Sequence, residues 1–200
     1  MEYFSNLTAI FPLSDSEGSP TNGINSELIK ELSMSENAIT SDELQIICNE
    51  HDLFLQNGGI GGSWQTILVS GLVIGVYFGA NSTVGKQAAL NGKRIENVMI
   101  KPLKLPYTNG VGLICKNQNL CNSDFHKSLF TDCIFENSCF ENANLQGVDF
   151  SRSNLRNCSF KNADLSFADF ENCDCTGTDF RGAKLHDSRF PGAILLNILR

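Results

Sequence analysis

No segment of this chain is basic enough to follow a nucleic-acid backbone. Residues 1–56 hold ten acids against Lys30 alone, a net of -9; residues 57–115 hold five bases against Glu96, a net of +4; residues 116–200 hold nine bases against eleven acids, a net of -2. These sum to the formal charge of -7 and exclude a nucleic-acid footprint. An apolar run long enough to cross a bilayer is also missing. The most apolar stretch, Ile67–Ala80, has fourteen residues, short of the roughly eighteen that a spanning helix wants. Gly71, Gly75 and Gly79 interrupt it, and Val, Ile, Tyr and Phe dominate. It therefore reads as buried β-strands rather than as a membrane contact. The start, "MEYFSNLTAIF", has an acid at position 2 and no basic residue before a short apolar run. No cleaved signal peptide is expected, and the protein is expected in a cytoplasm.

Catalytic and ligand-binding motifs are equally scarce. The glycines at 58, 59, 61 and 62 form no dinucleotide fingerprint. "GANSTVGK" (79–86) is one residue out of register for a phosphate loop, and Gln87 stands where a Ser or Thr should follow the Lys. His126 and His186 are sixty residues apart. Cys173 and Cys175 form a C-x-C with no His partner, a poor zinc or nucleophile arrangement. The sequence therefore points to no catalytic residue, cofactor or metal. Six of the eight cysteines fall inside the repeat described next and follow its spacing. They read as reduced thiols filling small interior spaces.

What the sequence does have is a period of five. A position denoted i is filled at every fifth residue from Leu120 to Leu195, sixteen times without a gap, by Leu or Phe everywhere except Cys175. Position i-2 is small in nearly every pentad, as at Ser123, Ser128, Cys133, Ala143, Ser153 and Ala163. Residues two apart on an extended backbone share a face, so each pentad offers one small and one large inward side chain. Position i+2 is Asn, Asp or Gly twelve times in fifteen between 122 and 192. Those are the residues that accept the positive φ of a tight corner. A short strand, a corner and another strand, repeated, wind into a solenoid with a continuous interior.

"ANLQG", "SNLRN", "ADLSF" and "ADFEN" resemble the pentapeptide-repeat family, and the resemblance covers residues 118–197. It implies a mainly β fold, a right-handed quadrilateral β-helix with four pentads per coil. Sixteen pentads then make four coils, rising roughly 19 Å at the usual strand spacing. Ahead of it, residues 1–25 read as a flexible segment and 26–56 as two short helices, "SELIKELSM" and "SDELQIICNEHDLFL", the second with Ser41 as N-cap. Residues 57–112 read as a small β-rich module, in which Asn91-Gly92 marks a hairpin turn. Together these make a small α+β module in front of a repeat domain at 113–200. The C-terminal "PGAILLNILR" reads as a self-capping turn over the open end of the solenoid. An end-to-end dimer, as the quinolone-resistance members form, is the alternative that the resemblance implies.

Departures from the rule mark candidate function. Position i-1, usually polar, is apolar at Leu129, Ile134 and Cys139, where the preceding module is expected to pack. Position i+2 breaks its rule at Lys127, Arg152 and Phe167, which are therefore the candidate protein-binding residues. The layout of a non-repeat N-terminus before pentapeptide repeats resembles that of bacterial type III effectors. It implies a non-enzymatic protein–protein interaction scaffold that acts in a host cell. The other family precedent is a DNA-mimic that binds DNA gyrase and confers antibiotic resistance, or a regulatory scaffold inside the producing cell. Outward bases such as Arg152, Arg156, Lys161, Arg181 and Arg189 spoil a DNA-like field.

Overall fold

The computed structural model describes residues 37–59, 63–69, 72–78, 85–96, 98 and 100–200. The expected flexible segment 1–25 and the helix "SELIKELSM" lie outside the described residues. Helix α1 spans Ser41–Gln56, as the amphipathic pattern implies. Its N-cap is Thr40 rather than Ser41. Thr40 is extended (φ -77°, ψ 164°), its Oγ1 accepts from the Glu43 amide at 3.2 Å, and its own amide donates to Glu43 Oε2 at 2.9 Å. This reciprocal capping box satisfies two amides that the first turn leaves without partners, which Ser41 inside that turn could not do. Strands β1 (Ser63–Val69) and β2 (Leu72–Phe78) pair antiparallel, from Ser63 opposite Phe78 to Val69 opposite Leu72. The apolar stretch thus forms strands, and among the described residues no helix is long and apolar enough to cross a membrane.

Among the described residues from 86 onward, one pairing rule recurs. Single parallel bridges join Ala89 to Asn109 and Arg94 to Ile114, then every fifth residue from Lys104–Asp124 to Asp179–Leu199. Each partner is twenty residues on, four pentads, so the path is a four-sided coil stacked on itself. The ladder begins well before the boundary expected at 113, inside the stretch read as a separate β module. Asn91-Gly92 is accordingly no hairpin. Gly92 has φ 62° and forms a corner, because the partner of this segment lies one coil ahead rather than across a two-residue turn. Positive φ recurs at the corners of the later pentads, among them Asn117 (55°), Asn137 (60°), Asn157 (55°) and Asn197 (54°). Most corners close with an amide three residues on, as where Ser128 N–H donates to the Phe125 carbonyl at 3.1 Å. The equivalent amides of Thr108, Gln118 and Cys133 donate instead to the hydroxyls of Ser128, Ser138 and Ser153, at 3.0, 3.0 and 2.9 Å.

The core explains the preference for Phe. Phe130, Phe150, Phe170 and Phe190 stack along one side, with centroids 6.0, 5.5 and 4.6 Å apart in turn. Phe140, Phe160 and Phe180 stack opposite them at 5.0 and 5.5 Å. The two stacks meet edge-on, Phe150 against Phe160 at 5.9 Å and Phe170 against Phe180 at 5.9 Å. Stacking along the axis combined with edge-to-face contact across it suits the ring quadrupole. The small i-2 side chains do more than fit between these rings. Ser138, Ser153 and Thr178 donate to the carbonyls of Cys115, Phe130 and Leu155 at 2.7, 2.7 and 2.8 Å. Cys133, Cys158 and Cys173 do the same with their thiols, to Gly110, Phe135 and Phe150, at 3.0, 3.0 and 2.9 Å. Burial pushes the Cys133 and Cys158 thiols up to about 12, so both remain protonated donors.

Two cysteines correct the reading of uniformly reduced interior thiols. Cys121 and Cys139 point outward on adjacent coils, their Cα atoms 5.6 Å apart, and are joined by a disulfide. Cys121 occupies a corner position and Cys139 the wall position i-1 beside it, so the twenty-residue register brings them together. The expected C-terminal cap is corrected as well. Pro191 to Leu199 continues the ladder, with Ile194 bridged to Asp174 and Leu199 to Asp179. Pro191-Gly192 fits a corner, and Ile194, Leu196 and Leu199 take outward positions and are exposed, Leu196 at 62%.

Candidate protein-binding corner

Two of the three rule-breaking residues share one corner. The Lys127 amide donates to the Gln146 carbonyl, the Gly147 amide to Ser166 and the Phe167 amide to His186, at 2.7, 2.8 and 2.7 Å. Tyr107 starts the same column, donating to His126 at 2.9 Å. Tyr107, Lys127, Gly147, Phe167 and Asp187 therefore lie one above another along a single edge of the solenoid, all with positive φ. Arg152 is not among them. It sits on the neighbouring edge above Asp132, and its Nε and a terminal nitrogen donate to both carboxylate oxygens at 2.8 Å each. That fork holds the Asp132 carboxyl below its ordinary range. Arg152 thus has a structural use that the sequence did not reveal.

On the shared edge, Phe167 has φ 63° and is 60% exposed. Its ring stands edge-on to His186 at 5.6 Å, and His186 Nε2 lies 3.0 Å from Asp187. Two coils below, Lys127 Nζ lies 5.9 Å from the centre of the Tyr107 ring, and His126 meets that ring edge-on at 5.0 Å. His126 Nδ1 is 2.7 Å from Asp124 Oδ1. Burial works to raise the Asp124 carboxyl, but the hydrogen bonds from His126 outweigh it and the net displacement is downward. Asp164, three residues before Phe167 on the same coil, accepts from Gln146 at 2.9 Å and from Lys184 at 3.1 Å. Burial opposes these bonds and loses, leaving that carboxyl well below the usual range. The edge is thus a row of polar side chains held by one another, with the exposed Phe167 ring standing out of it.

Sequence reasoning missed Tyr107, the lowest member of this column. Counting back by fives from Lys127 through Asn122, Asn117 and Gly112 reaches it, but the repeat was read to begin only at 118. The i positions there, Gly110 and Cys115, break the Leu/Phe rule. The Phe130 ring fills the space at Gly110, where a Cβ would stand 2.7 Å from it. A hollow of about 730 Å³ lies at the neighbouring irregular coil, lined by Glu96, Val98, Ile100, Lys116 and Asn117–Asn119. Its ionic side chains are already engaged, Lys116 with Glu136 at 3.1 Å and Glu96 with Arg94. Among the described residues no group of His, Cys, Asp and Glu could hold a metal ion.

A wall of parallel bridges at every fifth residue, with a left-handed corner in the pentads between, defines a quadrilateral β-helix. Residues 123–198 match the family model described as a pentapeptide repeat region, and this stretch of the chain is one. No curated protein matches the sequence. Among solved structures, a pentapeptide repeat protein of the Arabidopsis thaliana thylakoid lumen is 21% identical over 54% of this chain and 65% of its own, with a TM-score of 0.30. HetL of the cyanobacterium Nostoc sp. strain PCC 7120, involved in heterocyst differentiation regulation, is 18% identical over 57% and 64%, with a TM-score of 0.29. QnrB1, a plasmid-mediated fluoroquinolone resistance protein, is 16% identical over 54% and 70%, with a TM-score of 0.23. This chain spans less than two thirds of the first two. At such scores the fold rests on the ladder and the family match, not on superposition.

Proposed function

We propose that the protein is a non-enzymatic binding scaffold that presents the Tyr107–Asp187 edge to a protein partner, with Phe167 as the anchor. The observation that carries this reading is the placement of Phe167. A residue other than Gly, Asn or Asp in the left-handed region costs roughly 1–2 kcal/mol, and exposing a ring adds to that cost. Asn or Gly occupies the equivalent corner of most other pentads without either penalty. A residue kept where it disfavours the fold is a candidate for use by something outside it. Lys127 flanks this anchor on the same edge; Arg152 belongs to the scaffold rather than to the contact.

The test is capture with purified protein from a bacterial and from a eukaryotic lysate, using Phe167→Asn as control. Asn suits the corner, so the coil is retained while the anchor is lost. A partner recovered by the wild type and lost in Phe167→Asn supports the reading. A partner recovered equally by both removes this edge from it.

The finer reading, a secreted effector acting in a host cell, is supported by layout alone: an acidic, Ser- and Asn-rich N-terminus ahead of repeats. A reporter fused to residues 1–40 that never leaves a secretion-competent cell would sink it. A gyrase-binding role by DNA mimicry fits less well. The acids along the coils are matched by bases, Asp169 with Arg189 at 2.6 Å, Asp174 with Arg156 at 3.0 Å and Asp164 with Lys184 at 3.1 Å. Such pairing cancels the field that mimicry needs. Unchanged supercoiling by gyrase at micromolar protein is the expected result.

A further inference from the structure

Helix α1 meets the first coil through a histidine with no access to water. His51 is 0% exposed. Its Nδ1 accepts from the Ala88 amide at 2.9 Å, and one residue earlier in the helix the Glu50 carbonyl accepts from the Lys86 amide at 3.0 Å. The ring stacks on Phe54 at 5.6 Å. Its Nε2 is buried without a hydrogen-bond partner. An Nδ1 that accepts leaves the proton of the neutral ring on Nε2. The contact has no slack, because a Cβ on Gly85 would stand 2.2 Å from the Phe54 nitrogen. Ile39 and Leu44 join Ala88, Leu90 and Ile95 of the first coil in one core, so this helical segment closes that end of the solenoid.

We propose that His51 is an acid-sensitive latch: a proton taken from solvent onto Nδ1 turns the acceptor of the Ala88 amide into a second donor, and α1 lifts from the first coil. Two donors facing each other in a dry site cannot both be satisfied, and neither the Pro106 carbonyl nor Asp52 outweighs the burial of a charged ring there. The titratable neighbours are Cys48, Glu50 and Asp52 on α1, Lys86 where the chain enters the first coil, and Tyr107 beside the Pro106 carbonyl on the second. Burial dominates and holds the ring below the ordinary histidine value, while the Pro106 carbonyl and Asp52 pull the other way. A lowered value in the closed form means that the latch is fully stabilising above the ordinary histidine value, about 6.5, and weakens as pH falls below it. Opening would bare Ala88, Leu90 and Ile95 together with the free edge of the first coil.

Hydrogen exchange on the full chain between pH 7.5 and 5, corrected for intrinsic rates, tests this. Protection at Ala88, Lys86 and α1 is expected to fall by up to roughly tenfold per pH unit below 6.5, while amides such as Phe150 and Phe160 hold theirs. In His51→Asn, which keeps an oxygen acceptor near the δ position and cannot titrate, the α1 profile is expected to be flat. Flat protection in the wild type, or an equally steep profile in His51→Asn, overturns the proposal. Should that variant not fold, an NMR titration of the wild-type His51 ring decides it. A midpoint below 6.5 that coincides with the loss of α1 signals supports the latch; a midpoint at or above 6.5 overturns it.

Discussion

Phe160 lies flat over Phe140, their ring centres 5.0 Å apart and their planes 9° from parallel, with Phe180 continuing the stack above. The opposing stack centres on Phe150, which touches the rings of Phe130, Phe135, Phe140, Phe160 and Phe170.

Replacing Phe150 by Ala leaves a cavity that no coil can collapse into without breaking the ladder on both sides. Urea denaturation should show a loss of about 3–5 kcal/mol. Phe190→Ala, at the half-buried end and with ring contacts to Phe170 and Phe180, should cost clearly less. Equal losses would mean that the terminal coil is covered in solution.

Arg152 and Phe167 should separate in a stability assay. Both are strained at the corner, with φ of 61° and 63°. Arg152→Asn relieves the strain but gives up the fork to Asp132, an exposed pair worth about 0–1 kcal/mol, so the melting temperature should barely move. Phe167→Asn gives up little packing and should raise it by about 2–4 °C, the equivalent of about 1 kcal/mol of relieved strain. A fall on Phe167→Asn would show the ring to be supporting the fold.

Thiol labelling should divide the cysteines into three groups. Half-buried Cys48 should react slowly in the native protein, its thiol pushed up by burial. Cys121 and Cys139 should react only after reduction, and the five core cysteines only after unfolding. The disulfide closes a short loop, so reducing it should cost up to about 3 kcal/mol. Full labelling of Cys121 without reductant would refute the bridge.

Asp179 supplies an acid limb to stability. Hydrogen bonds from Arg181 outweigh burial and hold its carboxyl at about 2. With the folded value below the unfolded one, near 3.9, its contribution is complete above pH 4 and is lost as pH falls toward 2. Asp179→Asn should therefore flatten the fall in melting temperature over that window. An unchanged slope would assign the acid limb to other carboxylates.

The repeat was legible because both of its determinants are written in side chains: a bulky residue inward at i, and a corner former at i+2. The boundary was less so. Gly110 and Cys115 carry the path of the chain without the letters of the pattern, since at Gly110 a ring from the next coil supplies the volume. The disulfide could not be read from spacing alone, because Cys121 and Cys139 become neighbours only once the register is known to be twenty. Among the candidate site residues, the break at i+2 was visible for Lys127, Arg152 and Phe167 alike. Only the column arrangement shows that Arg152 has its partner directly beneath it while Phe167 stands clear.

Because the bonds between coils link each pentad to the one twenty residues on, the molecule has a particular mechanical character. Pulled from its ends, it should unwind like thread from a spool, one turn after another, rather than rupture all at once. Each turn would release twenty residues, roughly 65 Å of contour. The turn clamped by Cys121–Cys139 would pay out only a fraction of that length until the bond is reduced, a built-in knot in an otherwise uniform line.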